Sequence, residues 1–353
     1  VKVGVIDVGF EGYGNLMGDE LPDSVTARCY ASAGNPTDNL ANCQTATVHG
    51  TGVAEAVMDI APGAQMYIAN PFTPADLLET VNWMVANGVQ VINHSVGWYW
   101  SGPGDGTSPY YDSPLVSVDV AVAGGILWAN AAGNEGESTW TSGFSDTDGD
   151  NWIEFAPNDE TNIIANQALP AGLSVTVLVR WDDSWDAADT DLDVSLFNGN
   201  GDVVASSTLT QNGGQFDTPM EVIQYNIPTT DAYFVAVSYV GGPIPNHIEV
   251  QEFNGYGLEH YTDSYSIGEP ADSSNPGMLT VGAMNWATVG TIEDFSSRGP
   301  TIDNRTKPDI VGADRGDSVS YGYSGFSGTS QASPHVAGLA ALDMAANKPA
   351  EAR

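Results

Sequence analysis

The first six residues, Val-Lys-Val-Gly-Val-Ile, form a nearly continuous apolar run. Such a run predicts a buried strand of a parallel sheet covered on both faces, because neither side of that strand meets water. A helix is predicted over 49–59, opening at His49, and a strand over 65–69 after an Ala-Pro-Gly turn. Residues 74–87 carry apolar side chains at Leu77, Leu78, Val81, Met84 and Val85, with Pro74 early and Gly88 as a stop. That is the pattern of an amphipathic helix. A strand over 89–94, a helix over 113–123 and a strand over 125–131 continue the alternation, which predicts an α/β sheet.

From about residue 137 the period changes. Short apolar runs at 173–179, 192–197, 203–206 and 233–239 are separated by Gly, Asn, Asp and Pro, with no helical pattern after any of them. This spacing predicts an all-β sandwich or jelly-roll-like domain. The earlier pattern resumes with a strand over 277–284 and a helix over 331–346 that is apolar nearly all round, hence expected to be buried. The expected organisation is one α/β domain, 1–136 and 275–353, whose parallel sheet is sandwiched by helices. An inserted all-β domain, 137–274, interrupts it.

Charge changes the picture further. The 353-residue chain holds 45 acidic and 9 basic residues, a formal net charge of -36. The stretch 137–272 holds 23 of those acids and a single base, Arg180. A phosphate backbone would be repelled, so no nucleic-acid partner is expected. No run of 18 or more apolar residues occurs, so no membrane span is expected. No signal peptide is visible and Val1 enters an apolar run directly, as expected of a processed or trimmed chain start.

Three short segments carry chemistry. Val-Gly-Val-Ile-Asp-Val-Gly ends a strand at Asp7. Val-His-Gly-Thr-Gly-Val-Ala opens a helix at His49. Gly-Thr-Ser-Gln-Ala-Ser-Pro-His-Val-Ala-Gly opens another at Ser330. Each residue alone has a structural explanation: a solvated strand-end Asp, a satisfied His, a helix-capping Ser. Together they supply a nucleophile, a base that titrates near neutrality and a carboxylate to orient it. The three segments resemble the Asp, His and Ser segments of the subtilisin-like serine proteases, in that family's chain order. The resemblance implies a subtilisin-like fold and a catalytic triad of Asp7, His49 and Ser330. It also implies a secreted endopeptidase working through an acyl-enzyme. A peptide ligase or macrocyclase on the same triad, and a catalytically inactive binding protein, are the alternatives.

Further segments extend the likeness. Ala-Ala-Gly-Asn-Glu-Gly at 131–136 resembles the segment supplying the family's oxyanion asparagine, which implies that role for Asn134. Val-Ile-Asn-His-Ser-Val-Gly at 91–97 resembles the strand that pairs with substrate backbone, here Ser95, Val96 and Gly97. With Ala131, Ala132 and Gly133 these would wall the pocket for the residue before the scissile bond. No acid lies in those walls, so an apolar or aromatic side chain is expected there. Trp98, Tyr99, Trp100, Tyr110 and Tyr111 would line further subsites or cap the core.

An exported protease folds in an oxidising compartment, so Cys29 and Cys43 are expected as a disulfide. Asp146, Asp148 and Asp150 alternate along Asp-Thr-Asp-Gly-Asp and suit a structural calcium ion, although no EF-hand is completed. Asp189, Asp191 and Asp193 form a second, weaker set. The insert resembles the pre-peptidase C-terminal type β-sandwich modules of bacterial secreted peptidases through residues 190–207, and is expected to gate or hold a protein substrate. Four departures from the family pattern stand out. Val8 replaces a hydroxyl residue, Gln331 replaces an apolar one, the chain ends soon after Ser330, and the family's segment before the first strand is absent. The last two suggest a fragment, a trimmed chain or a minimal core. An N-terminal propeptide, not present here, is a further expected partner beside the protein or peptide substrate.

Overall fold

The computed structural model describes residues 1–45 and 47–347; residues 348–353, counted above in the α/β domain, lie outside the described residues. The chain forms two compact units. One comprises Val1–Gly133, Gly268–Ser296 and the chain from Thr306 onward; the other comprises Asn134–Ile267 and Ser297–Arg305. The first unit opens with β1 (Lys2–Ile6), α1 (Tyr13–Leu16), β2 (Thr26–Tyr30), β3 (Pro36–Thr37) and α2 (His49–Ile60). It continues with β4 (Gln65–Ala69), α3 (Pro74–Ala86), β5 (Val91–His94), α4 (Pro114–Ala123) and β6 (Leu127–Ala131). The second unit holds β7 (Thr139–Ser142), β8 (Asn162–Leu169), β9 (Ser174–Trp181), β10 (Asp191–Asn198), β11 (Val203–Ser207), β12 (Met220–Asn226), β13 (Asp231–Gly241) and β14 (Ile248–Glu252). Back in the first unit, β15 (Met278–Asn285), β16 (Ile310–Asp314) and α5 (Thr329–Ala346) complete the fold.

The first unit is built on an eight-stranded sheet in the order β16-β15-β6-β5-β1-β4-β2-β3. Every neighbouring pair is parallel except β2–β3. Val3 and Val5 of β1 share one core with Val53 and Val57 of α2 and with Ala332 and Val336 of α5. Gly4 between them faces the opposite side, where an added Cβ would come within 2.5 Å of Met84 Sδ of α3. Helices therefore cover both faces, as the apolar run of β1 requires. The Cys29–Cys43 disulfide is formed and both cysteines are fully buried. In the chain-entropy picture a loop of this size is worth about 3 kcal/mol.

The second unit is a β-sandwich. Its two four-stranded sheets run β11-β10-β13-β8 and β12-β9-β14-β7, with every pair antiparallel. Val175, Val177 and Val179 of β9 meet Leu192, Val194 and Leu196 of β10 in its core. Alternate residues of both strands point inward, the period-2 pattern behind the sequence expectation.

Two differences from the sequence reading have simple causes. Helix α5 is largely buried through Gly338; beyond it Ala341 is buried while Leu339 and Leu342 are exposed, so its second half is amphipathic. Strand β14, Ile-Glu-Val-Gln-Glu, is buried at every position because its acids are satisfied internally. Glu249 pairs with Arg180, and Glu252 accepts the backbone N–H groups of Asn254 (2.8 Å) and Tyr256 (2.7 Å). Among the described residues no helix is long and apolar enough to cross a membrane.

Gly312 of β16 supplies a test of this packing. A Cβ there would lie 2.2 Å from the Ala332 carbonyl oxygen of α5, a backbone atom that cannot swing aside. Gly312→Ala is expected to destabilise the first unit by roughly 2 kcal/mol or more, as overpacking does. Denaturant unfolding checks it, and an unchanged midpoint would refute the packing.

Candidate active site

Parallel strands end on the same side of a sheet, and the candidate residues leave from those ends. Asp7 follows β1 directly, Ser95–Gly97 follow β5, and Ala131 closes β6 ahead of Ala132 and Gly133. Asp7 is buried, its N–H bonded to the Ala69 carbonyl at 3.0 Å. Helix α2 opens at His49 against that strand end. Gly50 makes this close approach possible, since a Cβ there would meet Asp7 Cβ at 2.8 Å and the Gly9 carbonyl oxygen at 2.7 Å. His49 Nδ1 lies 2.8 and 2.9 Å from the two Asp7 carboxylate oxygens. Burial disfavours the charged imidazole, but the Asp7 charge and hydrogen bond outweigh it and hold the His49 pKa above its ordinary 6.5. The ring of Phe326 packs edge-on against His49 at 5.7 Å, covering one side of the imidazole.

Ser330 occupies the first turn of α5, and an internal proline shapes its surroundings. Pro334 lies four residues on and has no N–H, so the Ser330 carbonyl lacks its intrahelical partner. Ser95 Oγ donates to that carbonyl instead, at 3.1 Å. Asn93 Nδ2 donates to Ser95 Oγ at 3.0 Å, and Ser333 Oγ donates to Asn93 Oδ1 at 2.7 Å. This buried chain pins the start of α5 to the end of β5. Ser330 Oγ donates to the Ser95 carbonyl at 3.4 Å. On the other flank the Gly328 N–H donates to Asp314 Oδ1 at 2.7 Å, and the Gly133 N–H donates to Thr329 Oγ1 at 3.2 Å.

Among the described residues the backbone of Val96 and Gly97 takes no hydrogen bond, and Gly97 is exposed, which leaves a short open strand edge. Ala132 is buried, with its N–H on the Val281 carbonyl at 2.9 Å. Asn134 follows Gly133 directly and is the first residue of the second unit. Within that unit Ser297 Oγ accepts the Glu135 N–H and donates to Glu135 Oε2, both at 3.0 Å. Burial raises the Glu135 carboxyl to about 7.

Two buried side chains that the sequence did not single out hold this region. His94 accepts from Trp98 Nε1 at 3.2 Å and lies 2.7 Å from Asn130 Oδ1 through Nδ1. Burial lowers its pKa to about 4, so it stays neutral and holds Trp98 in place. Glu269 accepts the Trp98 N–H through its own carbonyl at 2.9 Å. Its carboxyl takes Ser101 N–H at 2.6 Å and Ser113 Oγ at 3.2 Å, where Ser113 caps α4. Of the aromatic group beyond Gly97, Trp100 is buried core and Tyr111 is exposed.

These segments can be compared with known proteins. The Peptidase_S8 family model, described as the subtilase family, matches residues 1–172 and 255–352. The chain belongs to the subtilase family. Subtilisin E of Bacillus subtilis (strain 168) and subtilisin NAT of Bacillus subtilis subsp. natto are each 31% identical to this subtilase over 157 residues. That match spans 40% of this chain and 36% of the length of each relative. The structure of the Clostridium perfringens CspB protease shares the fold at 14% identity with a TM-score of 0.63, covering 98% of this chain and 83% of that one. Of the two substituted positions in this subtilase, Gln331 has a role of its own: buried, it accepts the Gly316 N–H at 2.8 Å through its side-chain Oε1. At Val8 it is the backbone N–H, common to any residue but proline, that donates to Asp7 Oδ1 at 2.8 Å.

In the second unit Asp146, Asp148 and Asp150 each offer a carboxylate oxygen within 4.8 Å of the others, a hard-oxygen donor set that fits calcium. Asp159, Glu259 and His260 come together likewise, whereas Asp189, Asp191 and Asp193 are not among the groups so gathered in the described residues.

The raised His49 pKa makes the first site prediction. Its charge adds stability below the ordinary pKa, and that contribution is lost as pH rises through the higher folded value. In an NMR titration the His49 imidazole is expected to deprotonate above pH 6.5, and Asp7→Asn is expected to lower the midpoint. A parent midpoint at or below 6.5 would show that the Asp7 pairing does not govern His49.

Proposed function

We propose that this subtilase is a secreted serine endopeptidase with Asp7, His49 and Ser330 as its catalytic triad. The observation that carries the reading is the buried Asp7 carboxylate on His49 Nδ1, set at the same sheet edge as the pinned first turn holding Ser330. With Nδ1 held by Asp7, the imidazole presents Nε2 as the base. Ser330 Oγ turns from the Ser95 carbonyl, gives its proton to His49 and attacks the scissile carbonyl carbon. His49 then delivers that proton to the leaving amine, and water repeats the sequence on the acyl-enzyme. The side-chain amide of Asn134 donates to the oxyanion. The substrate adds as a strand along Ser95, Val96 and Gly97, with Ala131, Ala132 and Gly133 as the second wall of an acid-free pocket. An apolar or aromatic residue before the scissile bond follows. Asp146, Asp148 and Asp150 would hold a calcium ion whose contribution is to stiffen the acidic loop. The β-sandwich is read as a substrate-handling module.

Incubation with an unfolded protein substrate, followed by product mass analysis, tests this. Cleavage after apolar or aromatic residues is expected, with fragment masses that sum to the substrate plus one water per cut. Ser330→Ala should lose about 10⁶-fold in kcat, and Asn134→Ala about 10²- to 10³-fold, effects of the size known in subtilisin itself. Joined fragments would favour a ligase, and no products from folded parent would favour a binding protein.

A further inference from the structure

The outer face of one sandwich sheet breaks the usual alternation. Tyr233, Val235 and Val237 of β13 point into the core, so Phe234 and Ala236 face away from it. Phe197 pairs with Phe234 across β10 and β13, and Trp152 packs against Phe197 with ring centroids 6.2 Å apart. A solvent-facing sheet surface ordinarily carries polar residues. Here these three rings, with Glu160, Asn198 and Asn200, line a pocket of about 630 Å³.

The pocket's polar groups say what would fill it. The Asn198 side-chain Oδ1 already accepts the N–H groups of Asn200 and Asp202, and Thr161 Oγ1 donates to Asp159. Glu160 is the one charged lining residue, and among the described residues its carboxylate makes no hydrogen bond or ion pair. The carboxylates of Asp150, Asp148, Glu154 and Asp146 lie near enough to act on it, so negative charge gathers on this side of the pocket. A calcium ion on the three aspartates would cancel only part of these five carboxylate charges. Ring faces beside an unpaired carboxylate in a negative field are the means by which proteins hold organic cations.

We propose that this pocket is an exosite for an arginine side chain of a polypeptide substrate, separate from the residues that cut it. The guanidinium would stack on Trp152 or Phe197 and pair with Glu160. The choice of a polypeptide rests on the peptidase reading above.

The test uses the full chain carrying Ser330→Ala, in calcium-containing buffer, and fluorescence anisotropy of a labelled Gly/Ser peptide bearing two arginines. An otherwise identical peptide with citrulline is its neutral control. The arginine peptide is expected to bind at least about 5-fold more tightly, and Glu160→Gln and Trp152→Ala should each weaken it about 3- to 10-fold. Because Glu160 is partly exposed and its carboxylate bonds nothing among the described residues, its glutamine variant should fold as the parent does, with circular dichroism as the check. Equal binding of the two peptides, or indifference to Glu160→Gln, would overturn the proposal. So would free arginine binding as tightly as the peptide. Cleavage of a short uncharged peptide by the parent reports on the peptidase reading alone, so the two failures are distinguishable.

Discussion

Because β1, β5 and β6 run parallel, their last residues fall on one edge of the sheet, and the proposed chemistry depends on that constraint. Parallel pairing demands crossovers; α2, α3 and α4 lie on those that link β1, β4, β5 and β6, and with α5 the helices bury both faces. Asp7, Ser95–Gly97 and Ala131–Gly133 need no special loop to meet; chain direction brings them there. What remains is to bring two helix starts to the same edge. Gly50 does this for α2 by removing the Cβ that would strike Asp7. Pro334 does it for α5 by freeing the Ser330 carbonyl for Ser95.

The cost of a polar edge inside a packed fold is met by direct hydrogen bonding. Asn93, Ser95, Ser333 and Thr329 are all buried, and each has a named partner. His94 is kept neutral by burial, and so serves as a dry acceptor for Trp98, while His49 is kept chargeable by Asp7. Two histidines at one edge thus have opposite proton affinities, decided by whether a carboxylate or an amide faces Nδ1. In the second unit the sole base of the acid-rich stretch, Arg180, is buried against Glu249. Burial alone would raise that carboxyl, but Arg180 reverses the effect and holds it below its ordinary value. Other ion pairs of that stretch lie nearer the surface, Asp263 with Arg298 and Asp159 with His260.

Much of the first unit was legible because its signals are local. Apolar runs marked β1, β4 and β5; Pro and Gly bracketed α3; and each candidate triad residue lies in a contiguous motif. What escaped the sequence reading was either non-local or irregular. The Asp159–His260 pair, 2.9 Å apart, joins residues 101 positions apart in the chain. Strand β8 was hidden because Ala165, at φ 65°, breaks its alternation. Strand β14 was hidden because its buried glutamates read as surface. Strand β16 was missed because it leaves Ile310 and Val311 exposed and so lacks the apolar run that marks a buried strand. The roles of His94 and Glu269 depend on partners such as Asn130, Trp98 and Ser101, and no spacing rule joins them.

The most direct measurement is covalent labelling with a fluorophosphonate, read by intact mass and peptide mapping. The account predicts one adduct per folded chain, on Ser330, absent from Ser330→Ala and strongly slowed in His49→Ala. Folded parent that takes no adduct, or takes it on another residue, would contradict an activated Ser330.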